Sequence, residues 1–320
     1  MKKRKIISIL LILIIIFSNF QNIALAKMIG GAKNLTSLGA CRRNIEFKFS
    51  VGWSVVKGDY IAYVEDGKQY AAYCIMPGID GVDELGDYTV DITKVLEDEK
   101  LYRVIVNGFP YKTAEELGVE NDYDAYMATK QAIKCILVDR DVRSNYRGKD
   151  EAGKKVVDLM ERLVDIGRNG TQRYQEADLK ISKNGTLQEE GNYYTQLFSV
   201  SSSVDISNYD IVATANMPAG AFIANINNQE KTSFAGNENF KLVIPKSSMT
   251  NDFDVAINIM GKCRTYPVLY GKTRIADSQD YAVATDPYGD YSNIITASYK
   301  LNTGSIKVNV FTRLISVSFF

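Results

Sequence analysis

The sequence predicts an α+β domain, built from a β-sheet core and a helical subdomain, followed by an antiparallel β-sandwich. Three observations predict this fold class. Short alternating apolar runs reach residue 76, two amphipathic helical stretches follow between residues 121 and 166, and alternating runs return from about residue 178. About 290 residues follow the leader described next, which is enough for two domains that each bury a core.

The first 26 residues have the pattern of a secretory signal peptide. A basic Lys2–Lys5 segment precedes an apolar run from Ile6 to Phe17, and Ala24–Ala26 fits a cleavage site. The run is too short for a spanning helix, and no second apolar segment follows it. We therefore expect an exported protein, at the cell surface or extracellular, with no transmembrane span after cleavage, in which residues 27–44 lead into the first domain.

The first domain is predicted over residues 45–177 and begins with strands. Apolar runs at Tyr60–Val64 and Gln69–Met76 predict two of them, and Asp66-Gly67 between these runs is a hairpin turn signal. Cys74 is therefore expected near the end of the second strand of a hairpin.

Helices are predicted next. Small and apolar residues recur at helical spacing from about residue 122 to Leu137. Gln131 lies beside that stripe, whereas Lys130 falls in a separate row, so we expect Gln131 to face the interior and Lys130 to face water. A second helix is expected from about Asp150 to Ile166, and strands from there on predict the sandwich over residues 178–302.

Composition excludes several classes of function. Histidine is absent, which removes Ser-His and Cys-His catalysis and histidine metal sites. The spacings of Cys41, Cys74, Cys135 and Cys263 indicate neither a zinc site nor a dense disulfide framework, and their pairing stays open. Removal of the four basic residues of the signal lowers the basic count from 38 to 34 against 38 acidic residues, which favours no nucleic-acid partner. We expect no metal and no small-molecule cofactor.

Cys74 and Gln131 supply a thiol and a side-chain amide, the ingredients of an internal thioester. The Cys74 sulfur would attack the Gln131 carbonyl with loss of ammonia, provided that folding holds the two in contact and excludes water. We expect the site to be lined by Tyr73, Tyr126, Ala128, Thr129 and Ala132. An amine on a partner would then attack the Gln131 carbonyl and release the Cys74 thiolate.

Several motifs, taken in order, resemble the thioester domain of Gram-positive surface adhesins. They are Tyr73-Cys74-Ile75 with Pro77-Gly78, Tyr102-Arg103-Val104, Asn107–Pro110, Thr113–Gly118 and Asp124–Ile133. The resemblance covers roughly residues 45–170. It implies that Cys74 is the thiol, that Gln131 is the acyl donor, and that the protein covalently captures a host or neighbouring-cell surface protein through a nucleophilic side chain, expected to be lysine.

One position departs from the family pattern. The helix motif of the family reads Thr-Gln-x-Ala-Ile-Trp, whereas this chain has Lys130 directly after Thr129. Gln131 comes one position later, and Lys134 takes the place of the tryptophan. One residue turns a side chain by about 100° on a helix. Either the helix register compensates and Gln131 reaches the thiol, or the site is inactive and the chain is a non-covalent binding module.

Two further expectations follow from the resemblance. Residues 303–309 resemble the first strand of the stalk domains that follow thioester domains in such adhesins, so residues 303–320 are expected to be the truncated start of one. Because the acyl donor would be consumed in the reaction, we expect a single-use bond former and not a turnover enzyme. A transamidase or cysteine hydrolase using Cys74 would lack its histidine.

Overall fold

The computed structural model describes residues 29–302 and 305–312. The predicted signal peptide and residues 303–304 and 313–320 of the predicted stalk segment lie outside the described residues, whereas Ser305–Thr312 form a strand of the second unit. The described chain is mostly β-strand with a few helices. It divides into two compact units, residues 29–174 with Tyr266–Pro287, and residues 175–265 with 288–312.

A closed antiparallel barrel forms the first unit together with a small sheet. Its strands are, in chain order, β1 (Ala32–Ala40), β2 (Ile45–Phe49), β3 (Gly52–Val55), β4 (Asp59–Glu65), β5 (Lys68–Cys74), β6 (Tyr88–Val95), β7 (Tyr146–Gly148), β15 (Val268–Thr273) and β16 (Tyr281–Ala284). The barrel has the order β1-β4-β5-β16-β15-β6, and β3-β2-β7 make a three-stranded sheet. The hairpin predicted for residues 60–76 is present as β4 and β5, with Cys74 at the end of β5.

The barrel closes with strands that the sequence analysis assigned to the second domain at residues 178–302. Strand β15 pairs with β6, and β16 pairs with β5, so that Cys74 lies opposite Tyr281. The short apolar run of each strand does not show which partner it will pair with, because that choice depends on contacts far apart in the chain. The first unit is consequently discontinuous in sequence.

Six helices belong to the described part of the first unit. They are α1 (Val82–Leu85), α2 (Glu99–Val106), α3 (Ala114–Leu117), α4 (Asp122–Leu137), α5 (Val142–Asn145) and α6 (Glu151–Asn169). The side chains of Asn121 and Asp150 accept hydrogen bonds from backbone N–H groups in the first turns of α4 and α6, which explains where these helices begin. Both long helices predicted from the sequence are confirmed. Among the described residues, no helix is both long and apolar enough to cross a lipid bilayer.

Two antiparallel sheets make up the second unit. Their strands are β8 (Lys180–Glu190), β9 (Tyr193–Ser201), β10 (Ile206–Ala215), β11 (Phe222–Ala224), β12 (Ser233–Ala235), β13 (Phe240–Pro245), β14 (Phe253–Arg264), β17 (Tyr288–Asn302) and β18 (Ser305–Thr312). The sheets have the orders β12-β10-β14-β17-β18 and β11-β13-β9-β8. Phe198 and Phe240 of one sheet and Tyr209 and Ile257 of the other belong to a single buried cluster. The unit therefore has an apolar core of its own.

Candidate functional site

Cys74 ends strand β5 at the rim of the barrel. Strand alternation buries its neighbour Tyr73 completely and leaves Cys74 partly exposed. Burial of the thiol raises the pKa of Cys74, and the positive charge of Lys130 opposes that increase. The thiol is therefore protonated at neutral pH, and the charge of Lys130 would stabilise its thiolate form at higher pH.

Stacked tyrosine rings pack in the interior at this end of β5. The rings of Tyr73 and Tyr126 stack with centroids 4.9 Å apart, and Tyr126 stacks in turn on Tyr60 at 4.5 Å. The Tyr126 hydroxyl donates to the carbonyl of Ala72 at 2.8 Å, which joins α4 directly to β5. Every residue of α4 from Asp124 to Ile133 is buried, so the helix is enclosed on more than one side.

The predicted lining residues are all buried, and four of them, Tyr73, Tyr126, Ala128 and Ala132, belong to one buried apolar cluster. Tyr73 and Tyr126 pack behind the thiol as described. Thr129 instead accepts a hydrogen bond from the backbone N–H of Phe109 at 3.1 Å and donates to the carbonyl of Ala125 at 2.9 Å. Ala128 and Ala132 are fully buried in the apolar core of the unit.

Gln131 is buried, as expected, with 2 % of its surface exposed. Its amide forms hydrogen bonds with Tyr146 and Met127. The Tyr146 hydroxyl donates to Gln131 Oε1 at 3.2 Å, and Gln131 Nε2 donates to Met127 Sδ at 3.4 Å. Tyr146 belongs to β7 of the three-stranded sheet, whereas Cys74 belongs to the barrel. The structure therefore places the amide of the predicted acyl donor between Tyr146 and Met127.

Lys130 is the residue of α4 whose charge acts most strongly on the Cys74 thiol. Its ammonium donates to the backbone carbonyl of Asp59 at 3.2 Å and pairs with Asp83 Oδ2 at 3.2 Å. The Lys130 side chain is 3 % exposed and that of Asp83 19 %. The prediction that Lys130 faces water is wrong, because α4 is buried on the side of the barrel as well, and Asp83 supplies the counter-charge that a buried ammonium needs.

The electrostatics of this cluster are set by Lys130. Burial lowers the pKa of Lys130, but the Cys74 thiolate, where the thiol is ionised, and the Asp83 carboxylate outweigh burial and raise the pKa. Burial would raise the pKa of Asp83, but Lys130 and a hydrogen bond from Glu84 lower it. One turn along α4, burial and the charge of Lys130 both lower the pKa of Lys134. Lys130 and Asp83 are therefore an ion pair at neutral pH.

Asp59, Asp83, Glu84 and Tyr146 were not identified from the sequence. Asp83 and Glu84 lie on α1, a helix of four residues, and no spacing relates them to Lys130. Tyr146 reaches Gln131 because β7 pairs with β2, another contact between segments far apart in the chain. The sequence predicted only the local part of the site, namely a cysteine at a strand end and a buried helix that packs on it.

The strand-end cysteine and the buried helix both lie in a segment that matches a known family. Residues 71–169 match the family model of the thioester domain. Together with the structural matches that follow, this supports a thioester domain in this part of the chain.

Two solved structures resemble most of the chain. The Bacillus anthracis TIE protein matches with a TM-score of 0.59 and 22% sequence identity, over 86% of this chain and 48% of that chain. The thioester domain of the Enterococcus faecium TIE86 protein matches with a TM-score of 0.53 and 18% identity, over 88% of this chain and 96% of that chain. This chain thus spans about half the length of the Bacillus anthracis chain. No curated protein matches the sequence.

Residues 71–169 are thus similar to a family of covalent attachment modules. A thioester domain implies reaction with a protein nucleophile, and such domains are typical of bacterial surface proteins. In this chain the residue after Thr129 carries an amine, Lys130, whereas that chemistry needs a side-chain carbonyl.

Proposed function

We propose that this chain is an attachment module of an exported bacterial surface protein, an adhesin that binds its target without an internal Cys-Gln thioester. The family match over residues 71–169 supports an attachment module, and the signal-like first 26 residues support export. The observation that carries the proposal is the buried ammonium of Lys130, which pairs with Asp83 and whose charge acts on Cys74.

An ammonium in this position does not support thioester chemistry. The thiol needs a carbonyl carbon with a leaving group, and the Lys130 side chain has neither. For Gln131 to replace it, α4 would have to turn by about 100° about its axis. That turn breaks the hydrogen bond from Tyr146 to Gln131 and withdraws Lys130 from Asp83. Separating a buried ion pair costs roughly 3–5 kcal/mol, so the observed register is strongly favoured.

Binding is therefore proposed to be non-covalent and without turnover. The partner is a host or neighbouring-cell surface protein, and tyrosine side chains supply contact area because each combines a large ring with a hydrogen-bonding hydroxyl. Tyr123 is 37 % exposed in the first unit and Tyr193 is 40 % exposed in the second, which makes both available for such contacts.

A second candidate function is covalent capture through a Cys74-Gln131 thioester that reacts with a lysine amine. The family match and the position of Cys74 at the end of β5 favour it. It requires the rotation of α4 described above. It also predicts that Tyr146 loses its hydrogen bond to Gln131 in the reactive form.

Treatment of the native, full chain with methylamine distinguishes the two candidates. The non-covalent module has a free Cys74 thiol and an unmodified Gln131 before and after treatment. The covalent candidate is lighter by one ammonia beforehand and carries a methylamide at Gln131 afterwards.

A binding measurement distinguishes the same two candidates. If binding is non-covalent, complexes with the target should separate in denaturant, and Cys74→Ala should bind the target as the wild type does. A complex that survives denaturation and requires Cys74 would overturn the proposal.

A further inference from the structure

The hairpin of β2 and β3 ends in apolar side chains that have no part in the proposed function. The register pairs Phe49 with Gly52, so that Ser50 and Val51 form the turn between the strands. Val51 is 94% exposed and Phe49 is 51% exposed. Hairpin turns favour glycine, asparagine and aspartate, because these residues readily adopt the backbone angles of the turn. Neither turn geometry nor burial in a core therefore explains an apolar side chain at Val51.

Aromatic rings flank the turn on both faces of the hairpin. Residues opposite each other in the register share a face, and successive residues along a strand alternate between faces. Phe49 shares its face with Phe47, and the two rings meet edge to face with their centroids 4.8 Å apart. Trp53 is partly exposed and lies opposite Lys48, on the other face. Phe49, Val51 and Trp53 make up the hairpin tip, which is apolar on both faces.

The charged side chains of the hairpin are mostly basic. Glu46 is the only acidic residue in the sequence from 45 to 57, and its carboxylate accepts a hydrogen bond from Arg147 at 2.7 Å. The Arg147 guanidinium also lies over the Trp53 ring, 4.4 Å from the ring centroid. The one negative charge of the hairpin is therefore paired, whereas Lys48 beside Trp53 is exposed.

Two cations at the hairpin have no anionic partner within the described chain. One is Lys48, and the other is Arg140, whose guanidinium lies 4.5 Å from the centroid of the Phe47 ring. Among the residues that the structure describes, no carboxylate lies within ion-pair distance of either side chain. Exposed apolar side chains beside unpaired positive charges are complementary to a surface that is negatively charged outside and apolar inside.

We propose that the hairpin tip inserts into the surface of a lipid bilayer that has anionic headgroups. Phe49 and Val51 enter the apolar layer, and Trp53 lies at the level of the headgroups, where an indole ring combines apolar area with a hydrogen-bond donor. Lys48 and Arg140 contact the negatively charged headgroups. A bilayer is favoured over a protein partner because insertion needs no complementary groove and removes apolar side chains of both faces from water together.

This contact is independent of the proposed function. The hairpin belongs to the three-stranded sheet β3-β2-β7, whereas Cys74 lies at the rim of the barrel. A chain that binds its target by another surface, or that forms a thioester, keeps the same hairpin tip. Failure of the one proposal therefore leaves the other standing.

The chain contains a matched control for the hairpin tip. Val64 on β4 is also a largely exposed valine, at 59%, but it lies on a strand of the barrel. Val51→Asp and Val64→Asp thus place the same carboxylate on two exposed positions, of which only one belongs to the tip. Because the Val51 side chain is almost fully exposed, its replacement should leave the fold intact, and circular dichroism checks this.

Trp53 is the only tryptophan of the chain, so tryptophan fluorescence of the full chain reports on the hairpin alone. We expect vesicles of phosphatidylserine and phosphatidylcholine in equal parts to shift the Trp53 emission to shorter wavelength, and brominated acyl chains in these vesicles to quench it. Pure phosphatidylcholine vesicles should bind at least tenfold more weakly. Free phosphoserine, which is the headgroup without acyl chains, should leave the emission unchanged.

The variants should change the affinity for the mixed vesicles in a fixed order. Val51→Asp should lower it at least tenfold, because a carboxylate then enters the apolar layer, whereas Val64→Asp should leave it unchanged. Lys48→Gln should lower it about fivefold, since one basic residue near an anionic surface contributes roughly 1 kcal/mol.

Three results would overturn the proposal. The first is a Trp53 emission that the mixed vesicles neither shift nor quench, and the second is equal vesicle binding by Val51→Asp and Val64→Asp. The third is an emission shift that needs only a higher concentration of the protein, because the tip would then contact a second copy of the chain.

Discussion

The two sides of helix α4 that Lys130 and Gln131 face carry different functional groups, although these residues are neighbours in the sequence. The side of Lys130 faces the barrel and contains a thiol, an ammonium and carboxylates. The side of Gln131 faces β7, where its amide is bonded to the phenol of Tyr146. In the account proposed here, one residue of helix register decides whether Cys74 meets an amine or an amide.

The two sides are also stabilised differently. Lys130 is held by charge, because its ammonium needs Asp83 to offset the cost of burial. Gln131 is held by neutral hydrogen bonds, each of which contributes only about 1 kcal/mol net. Changes on the charged side should therefore have the larger effects.

The largest expected effect comes from replacing the amine at position 130 by an amide. In the double variant Lys130→Gln with Asp83→Asn, an amide replaces the amine beside Cys74, and no carboxylate is left without its partner. We expect most molecules to become lighter by one ammonia and to recover the mass of a methylamide on treatment with methylamine.

Adding Cys74→Ala to the double variant is the control, and it should abolish the ammonia loss. If the folded double variant instead keeps its full mass, position 130 does not decide the chemistry at the thiol, and the contrast between the two sides of α4 loses its meaning.

Removing the charge alone should destabilise the protein. Lys130→Ala leaves Asp83 buried without its counter-ion, and we expect the free energy of unfolding to fall by about 3 kcal/mol. Urea unfolding measures this change. Lys154→Ala, which breaks an exposed pair, should cost no more than about 0.5 kcal/mol. Equal effects for the two variants would show that the Lys130 pair is not buried.

The neutral side should respond more weakly. Tyr146→Phe removes the hydroxyl that donates to Gln131 Oε1, at an expected cost of about 1 kcal/mol in the same unfolding measurement. The alkylation rate of Cys74 should be unchanged, because Tyr146 belongs to the other side of α4. An altered Cys74 rate in Tyr146→Phe would mean that the two sides are coupled.

The smallest effect is a change in the pH dependence of Cys74. Burial raises the pKa of the thiol above its ordinary value of 9.0. Between these two pKa values, Cys74 of the folded protein keeps a proton that the unfolded chain has lost. The associated stability is fully present below that ordinary value and declines as pH rises through the folded pKa. Alkylation of native Cys74 should follow the same higher pKa, and Lys130→Ala should move it higher still. A shift to lower pH in that variant would contradict the assigned contact.

Local patterns predicted the parts of the site that depend on neighbouring residues. The spacing of small residues located α4, and the Asp66-Gly67 turn placed Cys74 at a strand end. Helical spacing failed for Lys130 because it assumes one buried face, whereas α4 is enclosed on several. The counter-ion Asp83 and the strand β16 opposite Cys74 come from distant segments, and no local pattern identifies such partners.

The central claim is that the amine of Lys130, and not the amide of Gln131, adjoins Cys74. The most direct measurement is the residue-resolved mass of native protein after incubation with methylamine. The account predicts an unchanged side-chain amide at Gln131. A methylamide at Gln131, formed only in protein that retains Cys74, would contradict it.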